Sequence, residues 1–183
     1  MGRLYVLQGP SGAGKTTICR AVAAKLGLPV SVSTTTRDKR PGEVEGVHYR
    51  FVDNVVFAGM VARREFLEWA PYAGQFYGTT KAGMDLAFRA GRPVIGVWER
   101  RGAKVLRCRK DMWVTSIGIL PPSSAEAALR MAKRDGEGGQ YDRRLNEMAW
   151  DTRAVGDADF CIVNDVLDQA VDQVCEIIRG AGL

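Results

Sequence analysis

The sequence predicts an α/β fold, a largely parallel sheet flanked by helices, and three observations carry that reading. Apolar runs at residues 4–7, 93–98, 112–120 and 160–163 have the unbroken hydrophobicity of strands buried on both faces. Stretches with helical spacing alternate with them, the order expected of strand–helix–strand units. Between the first run and the first helix stands the glycine-rich stretch Gly9-Pro10-Ser11-Gly12-Ala13-Gly14-Lys15-Thr16.

That stretch matches the eight-position phosphate-binding loop pattern at every fixed place, in its required setting of strand, loop and helix. Its glycines let backbone N–H groups turn inward on phosphate oxygens, and the following helix, 17–26 with Ile18, Ala21, Val22 and Leu26 on one side, adds its positive end. Lys15 is expected to reach the β and γ phosphates of a nucleoside triphosphate, and the Thr16 hydroxyl to ligate Mg²⁺.

Past Pro29, residues 30–32 read as a second short strand. Residues 33–43 form a polar loop with four hydroxyls and two arginines in its first eight positions. Guanidinium forks beside hydroxyls suit a phosphate monoester, and the same composition also suits a solvated turn. Residues 46–80 read as a small β-rich insertion, with strands at 47–52, 65–70 and 75–79 and a helix at 54–64. Glu68 lies among apolar neighbours there, facing either solvent by strand alternation or a ligand with N–H donors. His48, the single histidine, has no nucleophile or metal-type partner nearby and reads as a surface strand residue.

A helix at 80–90 ends at Gly91, the strand 93–98 closes at Glu99, and a short helix covers 101–106. The strand 112–120 is closed by Pro121-Pro122-Ser123, where Ser123 or Ser124 caps a helix carrying Arg130, Lys133 and Arg134. Four residues rich in glycine, 136–139, form a mobile turn before a helix at 141–155 with Arg143 and Arg144 near its start. The strand 160–163, the Asn164-Asp165 loop and a helix at 167–179 complete the chain.

With 183 residues, 46% of them apolar, the chain supports one domain with small excursions. No apolar run approaches a membrane span and no signal segment opens the chain, so a soluble, cytoplasmic protein is expected. Cys19, Cys108, Cys161 and Cys175 match no metal or redox spacing and are expected as reduced, mostly buried thiols. The net charge of +5 is spread over short clusters without interleaved aromatics, which favours a small polyphosphate substrate over nucleic acid.

The sequence resembles the guanylate kinases. The shared stretches are the loop 9–16, Ser-Val-Ser-Thr-Thr-Thr-Arg at 31–37, Arg-Pro-Gly-Glu-Val-Glu-Gly-Val-His-Tyr-Arg-Phe-Val at 40–52, Glu-Phe-Leu-Glu-Trp-Ala at 65–70, Phe-Tyr-Gly-Thr at 76–79, Pro-Pro-Ser at 121–123 and Ile-Val-Asn-Asp at 162–165, in the family's order. The resemblance implies a P-loop nucleoside monophosphate kinase in three parts: a core at 1–33, 91–123 and 147–183, an acceptor subdomain at 34–90 and a helical lid at 124–146. It implies ATP on the loop 9–16 and Thr17, with Arg134 and Asn164, and a purine monophosphate, GMP or dGMP, on Ser33, Arg37, Arg40, Tyr49, Glu68, Tyr77, Thr79 and Glu99. Lys15, Arg37 and the lid arginines Arg130, Arg134 and Arg144 would stabilise the transferring phosphoryl group. Monomer and homodimer both fit.

The sequence departs from the family after its middle strand. Val97-Trp98-Glu99 stands where the family usually carries Asp-Ile-Asp, and Arg100-Arg101-Gly102 follows. Glu99 keeps a carboxylate with one more methylene, whereas Val97 can neither ligate a metal nor accept a hydrogen bond. A specialised acceptor, dGMP or a modified purine monophosphate, is one expected consequence. The remaining alternatives are a same-fold kinase for a ribose bisphosphate, against which Glu68 and Thr79 speak, and a non-catalytic phosphopeptide-binding module, against which the intact loop speaks.

Overall fold

The structure is a computed structural model that describes residues 2–135 and 155–181. Its core is a four-stranded parallel sheet in the order β6 (Val94–Val97), β1 (Gly2–Gln8), β7 (Met112–Leu120), β8 (Phe160–Val163). Side chains alternate across β1. Tyr5 and Leu7 pack with Ile18, Val22, Val174 and Ile178 of α1 (Lys15–Leu26) and α6 (Leu167–Gly180). Leu4 and Val6 pack on the other face with Met84 of α3 (Lys81–Phe88) and Leu106 of α4 (Arg100–Arg107). Both faces are therefore covered, which is why these strands read as continuous apolar runs. The Tyr5 hydroxyl, buried in this core, donates to the Ile178 carbonyl at 3.2 Å.

A second sheet, in the order β3 (Arg50–Phe51), β2 (Thr34–Thr35), β5 (Gln75–Thr80), β4 (Phe66–Tyr72), is antiparallel except for its β2–β3 pair. Helix α2 (Asn54–Ala62) starts at Asp53, whose carboxylate accepts from the Val56 N–H at 2.7 Å, and buries Phe57 and Met60 against Phe66. Thr80 caps α3 in the same way, accepting from the Gly83 N–H at 3.1 Å. Ser123 caps α5 (Ser124–Asp135), its hydroxyl accepting from the Glu126 N–H at 3.1 Å.

Several expectations are corrected. The strand expected at 30–32 is a single bridge from Val30 to Ile95, because the chain turns away from the edge of β6 after two hydrogen bonds to Ile95. Of the strand expected at 47–52 only Arg50–Phe51 remains, since the Val44 carbonyl accepts from both the Val47 and His48 N–H groups and closes a turn there. His48 thus sits in a turn, its Nδ1 accepting from the Val44 N–H at 3.0 Å and its Nε2 meeting Arg20. Two of the four thiols, Cys19 and Cys175, are buried; Cys108 at the end of α4 and Cys161 on the edge strand β8 are exposed. The expected turn at 136–139 and most of the helix expected at 141–155 lie outside the described residues; at its end, Val155–Asp157 forms a 3-10 turn.

Candidate active site

Strand β1 delivers its last residue straight into the glycine loop, and α1 starts at Lys15. The loop is seated so closely that side chains have no room. At Gly12 (φ 80°) a Cβ would lie 2.5 Å from the Ala127 carbonyl oxygen, and at Gly14 (φ 89°) it would lie 2.3 Å from the Asn164 amide nitrogen. Gly14 caps α1 without a side-chain acceptor, and no acidic residue occupies the first turn, so the helix end keeps its positive character for an anion. Lys15 is buried and its Nζ donates to the loop's own carbonyls, Gly9 at 2.5 Å and Pro10 at 3.1 Å. Thr16 and Thr17 are exposed at the start of the helix.

Two contacts brace this cradle. The buried Asn164 side chain donates to the Ala13 carbonyl at 2.8 Å, and Ser11 shares a 3.0 Å hydrogen bond with Tyr72 of β4, joining the loop to the second sheet. Arg130 is anchored beside Asn164, donating to its carbonyl at 3.2 Å and to Glu126 at 2.8 Å. The Arg134 side chain and Arg144 lie outside the described residues.

Across the cleft, the loop after β2 carries a buried arginine. Arg37 donates to Glu43 at 2.7 Å and to the Asp38 carbonyl at 2.6 Å, with its guanidinium 5.3 Å from the Tyr49 ring centre. Burial works against the charge on both members of the Arg37–Glu43 pair. Their mutual bond prevails, raising Arg37 above its ordinary value and, with the Arg40 N–H, lowering Glu43. Tyr49 is driven well above the usual phenol value by burial, with the charges of Tyr77 and Glu99 adding to it, so it acts as a hydrogen-bonding phenol. Arg37, Arg40, Tyr49 and Tyr77 line one continuous cleft with Ser11, Gly12, Lys15 and Thr16.

That cleft continues into a smaller pocket through shared walls at Tyr49, Tyr77, Val97 and Glu99, with Ser33 and Glu68 further in. The alternation along β4 turns Glu68 inward, with 7% of its surface exposed, while Trp69 faces out. Burial raises the Glu68 carboxyl above its ordinary value, and hydrogen bonds from the Thr79 hydroxyl, the Thr79 N–H and the Trp98 indole work against that. Oε2 of Glu99 is buried and meets no donor. Thr79 itself, 1% exposed, stands behind Glu68 and accepts from the Trp98 indole at 2.8 Å.

The cradle, the arginine loop and the inward carboxylate thus face one continuous cleft. The sequence model of the guanylate kinase family matches residues 1–181. The chain belongs to the guanylate kinase family. A guanylate kinase of Dechloromonas aromatica is 41% identical over 186 residues, spanning 100% of this chain and 91% of that one. One of Nitrobacter winogradskyi is 39% identical over 184 residues, spanning 100% and 84%. The crystal structure of guanylate kinase from Anaplasma phagocytophilum superposes with a TM-score of 0.80 at 29% identity, covering 100% of this chain and 87% of that one. Membership makes this guanylate kinase relative a nucleoside monophosphate kinase, an ATP-dependent transferase with the α/β fold described above.

Two members of the site were not singled out by the sequence. Glu43 carries the polar clamp on Arg37, and its only signal was the Arg37, Arg40, Glu43 spacing of three. Trp98 stands in the sequence only as the last residue of the strand 93–98 and as a departure from the family pattern, neither of which points to a hydrogen-bonding role.

For magnesium, the described residues hold no cluster of three or more His, Cys, Asp or Glu side chains. A hydroxyl at the head of α1 and the unpartnered Glu99 oxygen in the same cleft nonetheless fit a hard cation that takes most of its ligands from phosphates and water.

Proposed function

We propose that the protein transfers the γ-phosphoryl group of ATP to GMP, and to dGMP, by in-line displacement within one domain whose parts are the core, the acceptor subdomain at 34–90 and a lid at 124–146. The single observation that carries this reading is the continuity of the cleft: the Lys15 cradle, the Arg37 loop and the Glu68 pocket share walls.

The loop amides from Gly9 to Thr16 hold the donor phosphates, and Lys15 leaves its two carbonyl partners for the β and γ oxygens. Thr16 offers the hydroxyl that would ligate Mg²⁺, whose charge when bound offsets that of the phosphate oxygens. Arg37, Arg40, Tyr49 and Tyr77 receive the acceptor phosphate, a dianion that suits planar guanidinium forks and phenol donors. Ionised Glu68 accepts from N1–H and the N2 amino group of guanine; adenine presents a bare acceptor at N1 and would leave the buried carboxylate unmatched. Glu99 adds a second acceptor at the mouth of the same pocket. No side-chain nucleophile is needed, because positioning and charge neutralisation suffice for phosphoryl transfer.

Coupled ADP release measured with GMP, dGMP, AMP, UMP and CMP tests the reading. Turnover with the two guanine nucleotides and little with the others is expected; an equal or greater rate with AMP would overturn it. A modified purine keeping N1–H and the N2 amino group belongs to the same acceptor class, and the Val97 and Trp98 walls are where its added groups would be accommodated.

A further inference from the structure

Trp98 stands one residue beyond β6, 4% exposed, in the position where the family pattern has an aliphatic residue. The chain clears space for it. At Gly96 a Cβ would lie 2.6 Å from the far edge of the indole ring, and at Gly102 one would lie 3.4 Å from its near edge and 2.4 Å from the Glu68 carboxylate. Its Nε1–H donates to Oγ1 of Thr79 at 2.8 Å, and the same N–H also acts on the Glu68 carboxylate. Thr79 is in turn opposite Glu68 in the pairing of β4 with β5, and reaches it with both its hydroxyl and its backbone N–H.

The direction of these bonds is forced. An indole nitrogen only donates, so the threonine oxygen accepts, and its one proton is directed away from the indole. The acceptor facing it is the Glu68 carboxylate. We propose that Trp98 is a positioning residue for base selection: its indole N–H commits the Thr79 hydroxyl as a donor to Glu68, which fixes the carboxylate with its remaining lone pairs toward the N–H edge of the acceptor base. An aliphatic side chain at this position would leave the Thr79 hydroxyl free to rotate. Three connected groups of low exposure, Trp98 at 4%, Thr79 at 1% and Glu68 at 7%, form a network in which Trp98 and Glu68 line the pocket and Thr79 stands between them behind its wall. This inference rests on the reading of that pocket as the guanine site.

Trp98→Phe keeps the ring and removes the donor. Its expected signature is a rise of about tenfold in KM for GMP, the loss of one hydrogen bond in a buried network that includes a charge, with kcat and KM for ATP within about twofold of the wild type. In a Thr79→Val background, where the hydroxyl acceptor is gone, the same change is expected to add clearly less than it does in the wild type. A GMP KM unchanged by Trp98→Phe, a parallel rise in the KM for ATP, or full additivity with Thr79→Val would each overturn the inference. A second measurement needs no Trp98 variant to fold. In ¹⁵N-indole spectra of the wild type, assigned by Phe variants at the other three tryptophans, the Trp98 N–H is expected to exchange slowly with solvent and to shift when GMP is added but not when ATP is added alone. Fast exchange, or no response to GMP, overturns it. A wild type inactive on every purine monophosphate would instead overturn the guanine reading, and this inference with it; an active wild type with an insensitive Trp98→Phe variant removes this inference alone.

Discussion

Gly102→Ala separates the requirements of the helix from those of the pocket. Gly102 is the third residue of α4, buried, with no positive φ, so the backbone accepts alanine there and the helix gains about 0.5–1 kcal/mol from the better helix former. The new methyl, however, would arrive 2.4 Å from Oε2 of Glu68 and 3.1 Å from its Cδ. Ordinary contact requires about 1 Å more, and the shift has to come from the carboxylate, since the helix is held by Ala103 and Leu106 in the core. A displacement of about 1 Å at a positioning group is worth up to about 10²-fold. The expected outcome is a melting temperature equal to or above that of the wild type, a KM for GMP raised between about tenfold and 10²-fold, and a KM for ATP unchanged. Calorimetry and coupled ADP release, with each substrate titrated in turn, check it. A variant that folds as well as the wild type and binds GMP within twofold of it would refute the claim that Glu68 reads the base from this position.

Lys15→Ala is expected to lower kcat by about 10²–10³ with a small effect on KM for GMP, read by the same assay. Asn164→Leu leaves the buried Ala13 carbonyl without its donor, so a loss of about 1–3 kcal/mol in urea denaturation and a raised KM for ATP are expected. Glu68 is held above its ordinary value, chiefly by burial, so the folded protein binds that proton more tightly than the unfolded chain does. The sign follows: Glu68 contributes stability below the unfolded carboxyl value near 4.5 and withdraws it as pH rises through its higher folded value. Glu68→Gln is therefore expected to raise stability at pH 7 and to abolish selectivity for GMP over AMP, while wild-type kcat/KM for GMP falls at a higher pH than an ordinary carboxylate would allow.

How far the sequence could be read depended on whether a residue's role is set locally or across the fold. The cradle was legible because only glycine tolerates its backbone and because strand, loop and helix must occur together. The core sheet was legible because β1, β6 and β7 are buried on both faces and show it as unbroken apolar runs. The face of Glu68 was not, since alternation along β4 fixes a period and not its phase; the phase is set by pairing with β5, where the register shifts between Phe66 and Glu68. The Trp98 to Thr79 bond joins the end of one sheet to a strand of the other, a contact with no signature in spacing. The strand expected at 30–32 failed for a related reason, because β-propensity there competes with a chain already turning toward the second sheet.

Under the proposed function, the placement of charge orients the acceptor before any side chain moves. Lys15, Arg37 and Arg40 stand at the cradle end of the cleft, and Glu68 and Glu99 line its inner pocket. A nucleoside monophosphate carries its negative charge at one end and, in guanine alone of the common bases, two adjacent N–H donor groups at the other, so one orientation satisfies both ends and the reverse sets phosphate against carboxylates. The Arg37–Glu43 pair sharpens this. Glu43 holds the guanidinium at 2.7 Å in a buried site, so under the proposed function an arriving dianion would bind to a fork already fixed against Tyr49. Val97 fits the same division: it lines both parts of the cleft where they meet, and an apolar wall at that boundary neither attracts the phosphate inward nor draws the base outward.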